Sequence, residues 1–127
     1  MKKILPRLCL TLAVLLGSAG VSWSADYQKG LTAYVKGDYE TALREWKPLA
    51  EQGYALAQSN LGVMYDNGQG VLQDYVRAHM WFNIAASSGG GGNASKIRDN
   101  IAKRMTPADI SKAQDLAREC VRKKYKG

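Results

Sequence analysis

From about residue 27 onward, apolar residues recur three and four positions apart in short runs separated by glycine-containing turns. That spacing gathers them on one face of a helix, and it predicts an all-α chain of about six helices. The first begins near Tyr27, runs through Gly30 to Lys36 and stops at Gly37. Asp38 then offers a carboxylate to the free amides of a second helix, along which Ala42, Leu43, Trp46, Leu49 and Ala50 form the stripe to be buried. Pro48 falls within this helix and predicts a kink or one missing backbone bond, because proline has no N–H to donate.

The plan then repeats. Ala57, Leu61 and Tyr65 share one face of a third helix, the chain turns at Asn67 to Gly70, and Asp74 caps a fourth helix carrying Ala78, Trp81, Phe82, Ala85 and Ala86. Asp38 and Asp74, Tyr39 and Tyr75, Ala42 and Ala78, Ala50 and Ala86, and Gly53 and Gly89 are each 36 positions apart, with Trp46 and Phe82 matching as aromatics at the same offset. A period of that length marks stacked helical hairpins, each burying its apolar face against the next.

The four successive glycines Gly89 to Gly92 cost a helix more than a flexible connection, so a mobile hinge is expected there. Beyond them Ala94, Ile97, Ile101 and Met105 form one amphipathic stripe, and Ile110, Ala113, Ala117, Cys120 and Val121 another. Thr106 as cap, Pro107 at the first helical position and Asp109 in the first turn divide the two. The expected divisions are therefore 25–53 and 54–89 for two repeats and 93–127 for a C-terminal helical hairpin acting as a cap.

The N-terminus differs from all of this. Lys2, Lys3 and Arg7 precede an apolar run from Leu8 to Val21, followed by small residues at Ser22 and Ser24. This is the order of a secretory signal, and the run falls short of the roughly 20 residues that cross a bilayer. Cleavage after Ser24 removes residues 1–24, Cys9 among them, and predicts a periplasmic or secreted protein. Cys120 is then the one mature cysteine, so an intramolecular disulfide cannot form and stability rests on packing. Charge is uneven: Ala25 to Gly92 carries 5 basic and 7 acidic residues, whereas Asn93 to Gly127 carries 10 and 4.

Catalytic and metal chemistry find little support. His79 is the only histidine, and it sits between Ala78 and Trp81 in a helix expected to be packed, which reads as a structural imidazole. His79 and Cys120 lie 41 positions apart, unlike zinc ligands, and residues 66–70 lack the side chains and closing glutamate of a calcium loop. No serine is followed three residues later by lysine, as acylating serine enzymes of the penicillin-binding class require. No catalytic residue, metal site or cofactor is predicted.

The second unit resembles the Sel1-like repeat, a relative of the tetratricopeptide repeat. The resemblance rests on Gly53, Ala57, Gln58, Leu61, Gly62, Tyr65, Gly68, Gly70, Val71, Asp74, Ala78, Trp81, Ala85, Ala86 and Gly89, with Arg77 where lysine is usual. The first unit is a degenerate copy that lacks the Gly-x-Gly-Val loop and joins its helices by Gly37 alone. The resemblance implies an α-solenoid of about three hairpins, wound as a right-handed superhelix, whose first helices line a concave surface that holds a protein or peptide. Carried over to this chain, the positions facing that groove are Gln28, Thr32 and Lys36 in the first unit and Ser59, Val63 and Asp66 in the second. Some cysteine-rich members of the family bind penicillin-type compounds, which makes a hydrolase acting on β-lactams or peptidoglycan a lesser alternative.

A further surface is read from charge. Arg118, Arg122, Lys123, Lys124 and Lys126 cluster at the C-terminal end, where they could hold an anionic surface and would also complement a helix dipole. Export sets nucleic acid aside as a partner and leaves lipopolysaccharide, anionic lipid or an acidic protein. The expectation is thus an exported, non-enzymatic scaffold that binds protein through a helical groove, with the basic helix as the alternative contact.

Overall fold

The computed structural model describes residues 25–124; the expected signal segment and Lys126 lie outside the described residues. Six helices follow in order: α1 Tyr27–Val35, α2 Tyr39–Glu51, α3 Ala55–Asn67, α4 Tyr75–Ser87, α5 Gly91–Ala102 and α6 Pro107–Arg122. No strand occurs among the described residues.

Local chemistry sets the boundaries. Asp26, Asp38, Asp74 and Thr106 each accept a hydrogen bond from the backbone N–H three residues on, opening α1, α2, α4 and α6. At the other end, Asp38 N–H reaches back to Ala33 O at 2.8 Å and Tyr54 N–H to Leu49 O at 3.0 Å, closing α1 and α2 through Gly37 and Gly53 at positive φ. Helix α2 runs unbroken through Pro48, which lies exposed; the chemistry of proline leaves the Arg44 carbonyl without its helical donor.

Consecutive helices pack against one another from α1 through α5. The first hairpin closes over an aromatic cluster: Tyr27 stacks on Trp46 at 5.7 Å between centroids, Tyr34 lies 5.6 Å from Trp46, and Tyr54 meets Tyr27 edge-on. The Trp46 indole N–H, which would be costly to bury unpaired, donates to Tyr27 O at 3.1 Å. Gln58, fully buried at the start of the second hairpin, donates to Ala50 O at 3.0 Å and so ties α3 to the end of α2. Gln69, in the turn between α3 and α4, accepts from Tyr34 Oη at 2.8 Å and donates to Tyr39 Oη at 3.4 Å. One loop amide thereby latches the second repeat to the first.

Helix α4 is the centre of the molecule. Ala78, His79, Met80, Trp81, Phe82, Ile84 and Ala85 are all buried, and Arg77 and Ser87 are its exposed residues. A helix buried around most of its circumference needs neighbours on several sides, and here α3, α5 and α6 supply them. Ala94 and Ile101 of α5 join Ala78, Phe82 and Ala85 in one cluster, while Ala117 and Cys120 of α6 join Trp46, Leu61, Met80, Trp81 and Ile84 in another.

Two features differ from expectation in detail. The last two helices, read as a hairpin, each rest on α4 rather than chiefly on each other, because their apolar stripes are claimed by opposite sides of that helix. Ile97 and Val121, placed on those stripes, are left substantially exposed. The glycine run is not an extended hinge: α5 already starts at Gly91, and Gly90 N–H bonds to Ala85 O at 2.7 Å. A Cβ on Gly90 would sit 2.6 Å from that same oxygen, so the run serves close approach in a tight connection.

Candidate functional site

The six groove positions do not form one open surface. Gln28 and Thr32 on α1 and Lys36 just after it are exposed, whereas Ser59, Val63 and Asp66 on α3 are only partly exposed. Val63 packs against the cluster formed by α4 and α5. Asp66 Oδ1 has no hydrogen-bond partner and lies 3.8 Å from the Arg104 guanidinium, which itself stands 5.1 Å over the Tyr75 ring. The chain's own C-terminal third therefore covers part of the second-unit face.

The basic end of α6 is largely matched by acid from the preceding turn. Arg118 pairs with Asp115 and Arg122 with Glu119, and Lys123 Nζ lies 3.8 Å from Glu119. These contacts hold the Glu119 carboxyl below its usual range, with the Arg122 hydrogen bond the largest cause. Lys124 follows the helix at φ 58° with its side chain exposed. Exposed pairs of this kind contribute little stability, but they reduce the field that the cluster presents.

A third surface was not anticipated. Where α6 lies across α4 it stands apart from α2, and a half-open cleft of about 260 Å³ remains between them. Its apolar wall is made by Leu43 of α2, Leu61 and Tyr65 of α3, Met80 and Trp81 of α4, and Leu116 of α6. Around the mouth stand Lys47, Glu51, Arg77, Glu119 and Lys123. Lys47 Nζ bonds Glu51 at 2.7 Å, and Arg77 Nε lies 3.6 Å from Asp74. Cys120 also borders the cleft; burial, followed by the nearby Glu51 charge, pushes its thiol above the ordinary range, so it is a poor nucleophile. Sequence pattern held one hint of this cleft: Lys47 with Glu51 and Glu119 with Lys123 are i, i+4 ion pairs bordering apolar stripes. What could not be read was that α2 and α6, far apart in the chain, face each other.

His79 takes no part in any of these surfaces. It is 3% exposed, its Nδ1 has no hydrogen-bond partner, and burial, with Arg98 adding, pushes its pKa below the usual histidine value while Asp99 opposes this. No group of three or more His, Cys, Asp or Glu side chains suited to a metal ion occurs among the described residues.

Two stacked helical hairpins joined by glycine turns and followed by two helices docked on the second define a repeat protein of the solenoid class. The chain matches the Sel1 repeat over residues 14–54 and again over 55–90, more than half its length, and it belongs to the Sel1 repeat family. Sel1 repeats generally mediate protein–protein interaction, and proteins built from them are typically non-catalytic scaffolds.

Proposed function

We propose that this protein is an exported scaffold that acts in the periplasm, or after secretion, by holding another protein or a peptide. The observation that carries the reading is the pair of Sel1 repeats folded as stacked hairpins around α4, a rigid frame whose exposed side chains are free to choose a partner. Export rests on the basic, apolar, small-residue order of residues 1–24. The protein is not an enzyme in this reading: the single histidine is buried away from the cleft and the cysteine thiol is held protonated. The basic α6 end is the lesser contact, since three of its cations are engaged by Asp115 and Glu119.

The test is capture from cell-envelope extract with the mature chain as bait, followed by reconstitution of any complex from purified components. A partner that binds the purified chain stoichiometrically supports the scaffold. Hydrolysis of a β-lactam or of peptidoglycan, abolished by one carboxylate or serine substitution, would replace it with an enzyme. Fractionation reports on export: the mature form, starting at Ala25, belongs in the osmotic-shock fluid or the medium.

A further inference from the structure

Building on the scaffold reading, we infer that the cleft between α2, α4 and α6 is the binding site for an acidic peptide segment that inserts one or two large apolar side chains.

Size argues first. Small-molecule sites are typically about 300–1,000 Å³, and the cleft, at about 260 Å³ and open on one side, falls below that range. It suits side-chain anchors instead, the form in which a few buried aromatic or aliphatic groups supply most of an interface's energy. The wall is suited to such an anchor: Leu43, Leu61, Met80 and Leu116 are aliphatic, and Trp81 and Tyr65 add ring surface. Met80, unbranched and adaptable, can conform to more than one inserted shape.

Charge decides the rest of the ligand. Three cations, Lys47, Arg77 and Lys123, stand at the mouth against two carboxylates, Glu51 and Glu119. Lys47 is paired with Glu51 and Arg77 with Asp74, while Glu119 is shared between Arg122 and Lys123, so one cation lacks a carboxylate of its own. The cationic side chains keep roughly half of their surface in solvent, at 57% for Lys47, 52% for Arg77 and 52% for Lys123. A carboxylate arriving with the peptide would complete the pairing of Lys123, which shares Glu119 with Arg122, whereas an arriving lysine would find no carboxylate to spare. Exposed pairs of this kind are weak enough to rearrange on contact. Complementarity at a rim also speeds encounter and rejects partners of the wrong sign. This site is distinct from the face of α1 and α3 assigned by family resemblance.

The experiment uses the mature chain and a short fluorescein-labelled peptide with a phenylalanine–leucine pair between glutamates. Two controls replace the glutamates by lysines or the apolar pair by alanines. The inference expects saturable binding of the acidic peptide only, weakening with salt, with amide shifts clustered around Leu43, Tyr65, Trp81 and Leu116 in a nitrogen-15 titration. The Lys47→Glu/Arg77→Glu variant, its helical circular dichroism unchanged, should bind about tenfold more weakly, since rim charges act on encounter and salt dependence. Leu43→Trp, which fills the cleft, should abolish binding. Absence of binding, equal binding of all three peptides, or shifts confined to Gln28, Thr32, Lys36 and Ser59 would overturn it. The scaffold reading is judged separately: a partner captured equally by wild type and both variants keeps the scaffold and rejects the cleft.

Discussion

Gly62 and Phe82 are in contact so close that no side chain fits between them: a Cβ on Gly62 would lie 2.6 Å from the ring. The first repeat does the same with Gly30 and Trp46, where the corresponding distance is 2.5 Å to the indole nitrogen. In each hairpin a glycine on the first helix is the seat for the large aromatic of the second. Both rings are buried almost completely, Trp46 at 1% and Phe82 at 0% exposure.

Gly62→Ala should therefore destabilise the protein, although alanine is favoured over glycine in a helix by about 1 kcal/mol. Overpacking a fixed core costs about 1–3 kcal/mol, and here the obstacle is a ring held by α5 as well as α3. A second substitution, Phe82→Leu, should recover part of the loss, giving a favourable coupling in a double-mutant cycle followed by urea denaturation. Strict additivity of the two changes would show that the glycine matters for some other reason.

Much of this arrangement was legible in the sequence, and the illegible part has a common cause. Helix caps at Asp38, Asp74 and Thr106 announce themselves because they act on neighbours three residues away. The repeat was visible because a stacked architecture reuses the same contact every 36 residues. The docking of α6 on α4 was not, since its small-residue stripe of Ala113, Ala117 and Cys120 says that something is approached closely without saying what. The glycine run misled for a similar reason: Gly90 meets the Ala85 carbonyl, a tertiary demand that composition does not distinguish from flexibility. The cleft inherited both blind spots, because its walls come from α2 and α6.

Gln69 links the repeats through two hydrogen bonds to Tyr34 and Tyr39. Gln69→Ala should lower stability by about 1–3 kcal/mol, from two bonds each worth about 0.5–1.5 kcal/mol. Tyr34→Phe should cost about half as much. Chemical denaturation with matched slopes would check both, and wild-type stability in Gln69→Ala would mean that solvent replaces the latch.

His79 gives stability a pH dependence whose sign follows from its lowered pKa. The folded state prefers the neutral imidazole, so around pH 6.5, the ordinary value, the unfolded chain binds more protons. Stability contributed at this position is complete above that pH and declines as pH falls from 6.5 toward the lowered folded value. Arg98, whose guanidinium holds Asn83 at 2.9 Å, adds to the penalty on protonation. Denaturation midpoints should drop between pH 7.5 and 5.5 in the wild type and much less in His79→Gln. Parallel profiles would place the titration elsewhere.

Cys120 should react slowly with a disulfide-exchange reagent under native conditions and fully after unfolding, as burial raises its pKa and blocks access. An occupied cleft should slow the reaction further, because the thiol borders it. Prompt stoichiometric labelling of the native protein would contradict the packing described for α6.

That packing is what the whole account depends on, since without α6 on α4 there is neither a covered centre nor a cleft. Native-state hydrogen exchange tests it most directly. The amides of residues 113–120 should be protected to nearly the same free energy as those of α4, opening only with the molecule as a whole. If they exchange at the rate of a frayed, isolated helix while α4 stays protected, α6 is not docked and the binding cleft does not exist.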